Sequence, residues 1–151
     1  NEETARIIDP RNAFIMYDLL KEVIKNGTAR KAKTLKRPDI AGKTGTTNDL
    51  MDAWFAGFNS DIVTVTWMGF DQPKALGNKE TGSRAALPIW IDYMRPLLKD
   101  YPIKNLVKPE GIIPFKINKK TGMTNNADEN GLYEYFYEEY PPFDNSYFVI
   151  N

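Results

Sequence analysis

Three short strand-like segments follow one another in the middle of the chain, and they constrain the fold more than any other feature. They run over 40–47, 53–58 and 62–70. The second and third are joined by three polar residues at 59–61, the length of a short hairpin loop. In the third segment valine and tryptophan alternate with threonine, so its two faces differ in polarity. Three antiparallel strands are the smallest stable sheet, and the segment predicts one.

Two amphipathic helices are predicted on either side of these strands. The first begins at Asp9-Pro10, where an N-cap oxygen precedes a proline suited to the first helical turn. It ends at Asn26-Gly27, with Gly27 in a left-handed conformation. The second spans 85–99, and Pro96 should kink or shorten it. A helix that returns after three strands covers one sheet face, so the predicted fold class is α+β, an antiparallel sheet flanked by helices.

The predicted domain organisation has three parts. Residues 1–9 form a polar leading segment, 10–100 the sheet-and-helix domain, and 101–151 a C-terminal extension that is partly flexible. Within the domain, 28–39 is a basic connection, and within the extension, 118–122 predicts a tight hairpin. Five aromatic residues of the extension are predicted to be edge packing, with a carbohydrate platform or a partner-docking patch as the alternative: Tyr133, Tyr135, Phe136, Tyr137 and Tyr140.

Composition excludes several kinds of chemistry. The chain has no cysteine and no histidine, which excludes disulfides, thiolate nucleophiles, imidazole metal ligands and a Ser-His-Asp triad. Any general base here is therefore Lys, Asp, Glu or Tyr. No run of 18 apolar residues is present, so we expect any membrane anchor to lie outside this chain. The basic run at 21–43 lacks interleaved aromatics, which disfavours a nucleic-acid surface.

The first strand carries the residues with the clearest chemistry, Lys43-Thr44-Gly45-Thr46-Thr47. One cation and three hydroxyls surround a glycine, a combination suited to binding an anion. In an extended strand Lys43, Gly45 and Thr47 share one face, and the other two threonines share the opposite face. A glycine inside a strand is expected where a ligand or another backbone comes close. A peptide lying along this strand would bind its main chain, with Lys43 and the threonines as carboxylate partners.

Two other interpretations of the Lys-Thr-Gly motif are possible from the sequence. Gly42-Lys43-Thr44 also ends the phosphate-binding loop pattern, but the position five residues before Gly42 is Arg37 rather than glycine, and no helix opening follows. A nucleotide-binding protein therefore remains the weaker alternative. A second Lys-Thr-Gly at 120–122 lies in the predicted hairpin turn, where it is interpreted as structural.

Lys-Thr-Gly is the third of three signatures, after Ser-x-x-Lys and Ser-x-Asn, in penicillin-binding proteins and serine β-lactamases. The longer string at 42–49, followed by Asp52-Ala53-Trp54-Phe55 and Gly57-Phe58, resembles class A penicillin-binding proteins, which are bifunctional peptidoglycan glycosyltransferase/transpeptidases. The resemblance covers about 9–99 and identifies residues 10–100 as the C-terminal part of a transpeptidase domain.

The resemblance implies an enzyme that cross-links peptidoglycan stem peptides through a serine acyl-enzyme, which β-lactams trap, with no cofactor or metal. In that family Lys43 would support the Ser-x-Asn serine and the substrate carboxylate. The hydroxyls of Thr44 and Thr46 would bind that carboxylate, on the same strip as Gly45. The backbone N–H of Thr46 would be one of two oxyanion-hole donors. The implied location is the periplasmic side of the bacterial inner membrane.

The chain departs from the family pattern at the nucleophile. Its three serines are Ser60, Ser83 and Ser146, and none begins Ser-x-x-Lys or Ser-x-Asn. We therefore expect this chain to be inactive alone and to pack against a preceding part of the same enzyme, as a separate chain, that carries both motifs. The alternative is a non-catalytic module that binds a carboxylate or peptide and never had the serine.

Overall fold

Helix α1 spans Pro10–Lys25 in the computed structural model, which describes residues 6–124 and 131–142. Its predicted N-cap is confirmed, because Asp9 Oδ1 accepts a bond from the Arg11 N–H at 2.8 Å. The predicted left-handed conformation of Gly27 is wrong, since its φ is not positive. Gly27 is needed there for space instead: an added Cβ would lie 2.8 Å from the Cα of Val23.

The chain divides into two compact units, one of Met16–Leu106 and one of Asn1–Ile15 with Val107–Asn151. The division falls inside α1. The boundaries drawn from the sequence at 9/10 and 100/101 stay predictions. In the part of the chain that the structure describes, no helix combines the length and apolarity needed to cross a bilayer.

The three predicted strands form one antiparallel sheet in the order β1-β2-β3. Strand β1 spans Ala41–Thr46, β2 spans Ala53–Phe58 and β3 spans Val63–Met68. The register places Gly45 opposite Trp54, and Trp54 opposite Trp67. The α+β fold class is confirmed, with the sheet at the centre of the Met16–Leu106 unit.

Helix α2 spans Leu87–Leu97 and covers the sheet face that carries the threonines of β3. Trp90 lies edge-on to Phe55 with ring centroids 5.0 Å apart, and its indole N–H donates to the carbonyl of Thr64 at 3.2 Å. A π-helical turn at Gly82–Ala86 precedes α2, so helical structure begins three residues before the predicted residue 85. The opposite sheet face stays open in this unit: Val65 is 57% exposed and Trp67 45%.

The connection at 28–39 is more ordered than the sequence indicated, because it contains a 3₁₀ helix at Arg30–Leu35. Just beyond it, Arg37 and Asp39 form a buried ion pair at 2.6 Å. The Arg37 guanidinium also donates to the carbonyls of Leu98 (2.9 Å), Tyr101 (2.7 Å) and Pro102 (3.1 Å). These bonds attach the segment after α2 to the entrance of β1.

The second unit is built on a hairpin-like pair of antiparallel strands, β4 at Ile112–Ile117 and β5 at Leu132–Tyr137. The predicted turn at 118–122 is confirmed, since Asn118 Oδ1 accepts bonds from the N–H groups of Lys120 and Thr121. The structural interpretation of the second Lys-Thr-Gly therefore holds. The sequence did not predict that most of the aromatic run would be a strand. In that strand the Tyr135 ring packs edge-on to the Phe14 ring, with centroids 5.0 Å apart.

Candidate functional site

The strip predicted to bind anions lies on β1, which is an edge strand among the described residues. Just past β1, the Thr47 N–H donates to the carbonyl of Asp52 at 3.1 Å. Bonded and non-bonded residues alternate along antiparallel strands, so Lys43 and Gly45 also direct their backbone groups at β2. Thr44 and Thr46 therefore direct their N–H and C=O groups at the open edge of the sheet.

The cation of the strip is held at this same edge. Lys43 is exposed, and its Nζ donates to the carbonyl oxygen of Thr44 at 2.9 Å. The Lys43 side chain leaves the strand on the face opposite the hydroxyls of Thr44 and Thr46, as the sequence predicted. By folding onto the Thr44 carbonyl it nevertheless brings its charge beside the unpaired backbone groups.

The two threonine hydroxyls each have a partner inside the protein. Thr44 Oγ1 lies 2.8 Å from Thr28 Oγ1, at the start of the connection that follows α1. Thr46 Oγ1 accepts a bond from the backbone N–H of Gly82 at 3.0 Å. A hydroxyl carries one donor and two acceptor positions, so a Thr46 oxygen that accepts from Gly82 keeps its O–H for a ligand. No local sequence pattern identified Thr28 or Gly82, which lie 16 and 36 positions from their partners.

Close packing explains both glycines at the strip. A Cβ added to Gly82 would overlap the carbonyl oxygens of Gly45 and Trp54, so only glycine fits under the strand there. A Cβ added to Gly45 would lie 3.2 Å from the Cβ of Trp54. The backbone expected to approach Gly45 is thus that of Gly82, at the start of the π-helical turn.

The turn that leaves β1 is tight and closed by side-chain bonds. Asp49 and Leu50 both have positive φ, 59° and 56°. Across the turn, the Asp52 N–H donates to Thr47 Oγ1 at 2.8 Å. Asp52 therefore holds the residue that follows Thr46.

No nucleophile for acyl transfer is brought to this strip by the described serines. Ser60 Oγ donates to Asp61 Oδ2 at 2.9 Å in the β2–β3 turn. Ser83 Oγ lies 2.9 Å from Thr81 Oγ1. Neither shares β1 with Lys43, and Ser146 lies outside the described residues.

A cavity of about 490 Å³ lies away from the strip, between α1 and the Lys36–Ile40 segment. Its lining mixes two acids with five cations on an aliphatic floor: Asp18, Lys21, Glu22, Ile24, Lys25, Lys33, Lys36, Arg37, Pro38 and Ile40. Burial raises the pKa of Asp18, against the opposing effect of the charge on Lys21. None of the strip residues lines it, so the candidate chemistry belongs to the open strand edge instead.

No family model matches this chain, but comparison with known proteins finds relatives named penicillin-binding protein 1A. Penicillin-binding protein 1A of Pseudomonas aeruginosa is 52% identical over 138 residues, which are 91% of this chain and 17% of that protein. The protein of the same name from Neisseria gonorrhoeae is 52% identical over 112 residues, 74% of this chain and 14% of that protein. This chain therefore spans about a sixth of the length of the relatives it matches.

A solved structure agrees with the sequence relatives. The crystal structure of penicillin-binding protein 1A from Haemophilus influenzae superposes with a TM-score of 0.83 at 36% identity. The match covers 93% of this chain and 22% of that one. The chain therefore belongs, as one segment of a longer protein, to the class A penicillin-binding protein family, and its fold is part of a penicillin-binding protein transpeptidase domain.

Proposed function

We propose that this chain supplies the substrate-binding strand of a serine D,D-transpeptidase that cross-links peptidoglycan stem peptides and reacts with β-lactams. The observation that carries the proposal is the open edge of β1. No strand of the described sheet pairs with the backbone of Thr44 and Thr46 on that side, and the Lys43 ammonium lies beside it. An extended peptide can add to such an edge through main-chain bonds. The name of the relatives, penicillin-binding protein 1A, supports the β-lactam part of the proposal.

In the proposed reaction a serine outside this chain attacks the carbonyl carbon of the penultimate D-Ala. The carbonyl oxygen becomes an oxyanion, and the Thr46 N–H at the open edge is placed to donate to it. The bond to the terminal D-Ala breaks, and an acyl-enzyme remains for the amine of a neighbouring stem peptide. Because the donor is backbone, its position follows from the β1–β2 register.

The terminal carboxylate of the substrate is proposed to bind the hydroxyls of Thr44 and Thr46. Thr46 is suited to this because its oxygen already accepts from Gly82, which orients the O–H outward as a donor. Lys43 adds a positive charge at the same edge, where it stabilises the carboxylate and the serine of the Ser-x-Asn motif. Gly45 keeps the strand face that carries Lys43 free of a further side chain.

The serine is proposed to lie on a preceding part of the same enzyme, which this chain contacts, and this chain alone is proposed to be inactive. The open sheet face supports such a contact, because Trp54 is 41% exposed, Val65 57% and Trp67 45%. An apolar patch of this kind usually marks a surface that another part of a protein covers. The enzyme is proposed to work on the periplasmic side of the inner membrane, with its anchor outside this chain.

The alternative functions have less support. A non-catalytic carboxylate-binding module would use the same edge without the serine, and labelling by a β-lactam separates it from the proposal. The nucleotide-binding alternative is contradicted by the geometry, because Gly42-Lys43-Thr44 lies within strand β1 and does not open a helix.

The test is acylation of the longer enzyme that contains this segment by a fluorescent β-lactam. Lys43→Ala should slow acylation by about 10²-fold, the scale on which a charged transition-state contact acts. Lys99→Ala is the matched control, since Lys99 is exposed and lies after α2. Peptide mapping of the labelled enzyme should place the adduct outside this segment. Acylation that is equally fast in both variants, or an adduct within this segment, contradicts the proposal.

A further inference from the structure

Asp52 connects the end of β1 to the other two strands of the sheet. Its Oδ1 accepts a bond from the Trp67 indole N–H on β3 at 2.9 Å. Its backbone N–H donates to Thr47 Oγ1 at 2.8 Å, and its carbonyl accepts from the Thr47 N–H at 3.1 Å. Thr47, the residue that follows Thr46, therefore both donates a hydrogen bond to Asp52 and accepts one from it.

The surroundings of Asp52 are shaped for this bond. A Cβ added to Gly69 would lie 2.7 Å from Asp52 Oδ1 and would overlap the Trp67 ring, so glycine is required beside the pair. A carboxylate acceptor strengthens the bond from the indole N–H. This bond fixes the carboxylate against β3, and it thereby restrains the backbone of residue 52 as well.

The turn between Thr47 and Asp52 would not hold this geometry unaided. Leu50 has a φ of 56°, a left-handed conformation that costs a residue other than glycine about 1–3 kcal/mol unless its surroundings impose it. The Leu50 carbonyl accepts from the Leu76 N–H at 2.9 Å, which is one restraint. The Leu50 N–H also donates to the Thr47 carbonyl at 3.3 Å, and the bonds of Asp52 to Thr47 and Trp67 add to these restraints.

We propose that Asp52, braced by Trp67, is a positioning residue that holds the Thr46 N–H in place as an oxyanion donor. The inference rests on the proposed function. Thr46 has two anchors, the bond from Gly82 to its hydroxyl and the attachment of the next residue, Thr47, to Asp52. Loss of the Asp52 carboxylate leaves these backbone bonds in place but frees residue 52 from β3, so the second anchor loosens and the Thr46 N–H at the open edge shifts.

The experiment measures acylation of the longer enzyme by a β-lactam, with the acylation rate constant separated from the binding constant. Asp52→Ala and Trp67→Phe should each lower the rate constant about tenfold and leave the binding constant within about twofold, since small misplacements of reacting groups mainly affect the chemical step. Asp52→Asn keeps an oxygen for the indole N–H and should restore most of the rate. Asp92→Ala, at an exposed position of α2, is the control.

A merely structural role for Asp52 would reduce the fraction of enzyme that can be labelled, without slowing the labelled fraction. That result, or unchanged rate constants in both Asp52→Ala and Trp67→Phe, overturns the inference while the proposed function stands. If Asp52→Ala fails to fold, Trp67→Phe alone decides. Absence of labelling in the wild-type enzyme overturns the proposed function and the inference together.

Discussion

Replacing Arg37 by alanine should destabilise the domain more than any surface charge change, because it leaves a buried carboxylate without its cation. The Arg37 side chain is 9% exposed and the Asp39 side chain 0%. Arg37 donates to both Asp39 oxygens, at 2.8 and 2.6 Å, and the Lys104 N–H donates to the same carboxylate at 3.2 Å.

The loss of stability follows from the buried Asp39 carboxylate that Arg37→Ala leaves without its cation. Breaking a buried ion pair by removing one partner typically costs about 3–5 kcal/mol. Because about 2–4 °C of Tm corresponds to each kcal/mol in a domain of 150–250 residues, the Tm should fall by roughly 10 °C. Arg37→Lys keeps the charge but loses the planar two-bond contact, so its loss should be intermediate.

The dependence on pH gives a second check. Burial raises the pKa of Asp39, but the bonds from Arg37 and from the Lys104 N–H outweigh it, and the net pKa lies below its usual value. In the wild type, ionised Asp39 therefore adds stability above the unfolded pKa of about 3.9, and this is lost as the pH falls through the folded pKa. In Arg37→Ala burial is opposed by the Lys104 N–H but no longer by a cation, so the folded pKa rises and the deficit should narrow as the pH falls from about 7 toward 5.

The assay is thermal unfolding of the longer enzyme, followed by tryptophan fluorescence at both pH values. Arg30→Ala is the matched control, since Arg30 is an exposed arginine of the neighbouring 3₁₀ helix. A Tm for Arg37→Ala within about 2 °C of that control, less than 1 kcal/mol, would refute the reasoning. A deficit that grows on acidification would refute the assignment to Asp39.

Two further perturbations test the packing and the ionisation of this unit. Gly82→Ala places a Cβ against the Gly45 and Trp54 carbonyls, so it should lower stability by about 1–3 kcal/mol and slow acylation, and a wild-type Tm contradicts the close approach. Burial, with a smaller effect of Asp39, raises the pKa of Tyr17 to about 12. The folded pKa therefore lies above the unfolded value of about 10, and the stability from this group is present below that pH and lost as the pH rises toward 12. Tyr17→Phe should remove this alkaline loss, and it should cost about 1 kcal/mol at neutral pH because the bond to the Asp39 carbonyl is lost. An unchanged alkaline unfolding curve contradicts the assignment.

Local patterns predicted the elements that depend on neighbours in the sequence. The N-cap at Asp9 and the hairpin loop at 59–61 were identified because each is specified by a few adjacent residues. The second strand-like segment, predicted at 53–58, has the same bounds in the structure as β2. The 3₁₀ helix at Arg30–Leu35 was missed, since its basic residues show no apolar period.

The pairing of β4 with β5 was also missed, for a different reason. The sequence suggested that the segment after the 118–122 turn would pair with the strand before it, and the described part of that segment, which ends at residue 124, forms one bridge, between Ile117 and Thr124. The partner of β4 is instead Leu132–Tyr137, which follows an intervening segment. Register over such a distance is set by side-chain packing, for example Phe136 against Phe115, and a local pattern does not encode it.

The sequence by itself determined which chemical groups this chain can offer: a lysine and threonines around a glycine on one strand, with no histidine, no cysteine and no serine in a catalytic motif. Only the tertiary structure decided how those groups are presented. It directs the Thr46 N–H at an open edge, bonds the Thr44 and Thr46 hydroxyls to Thr28 and Gly82, and turns the valine face of β3 outward. These features depend on contacts between residues far apart in the chain, which form only when the sheet and helices pack together.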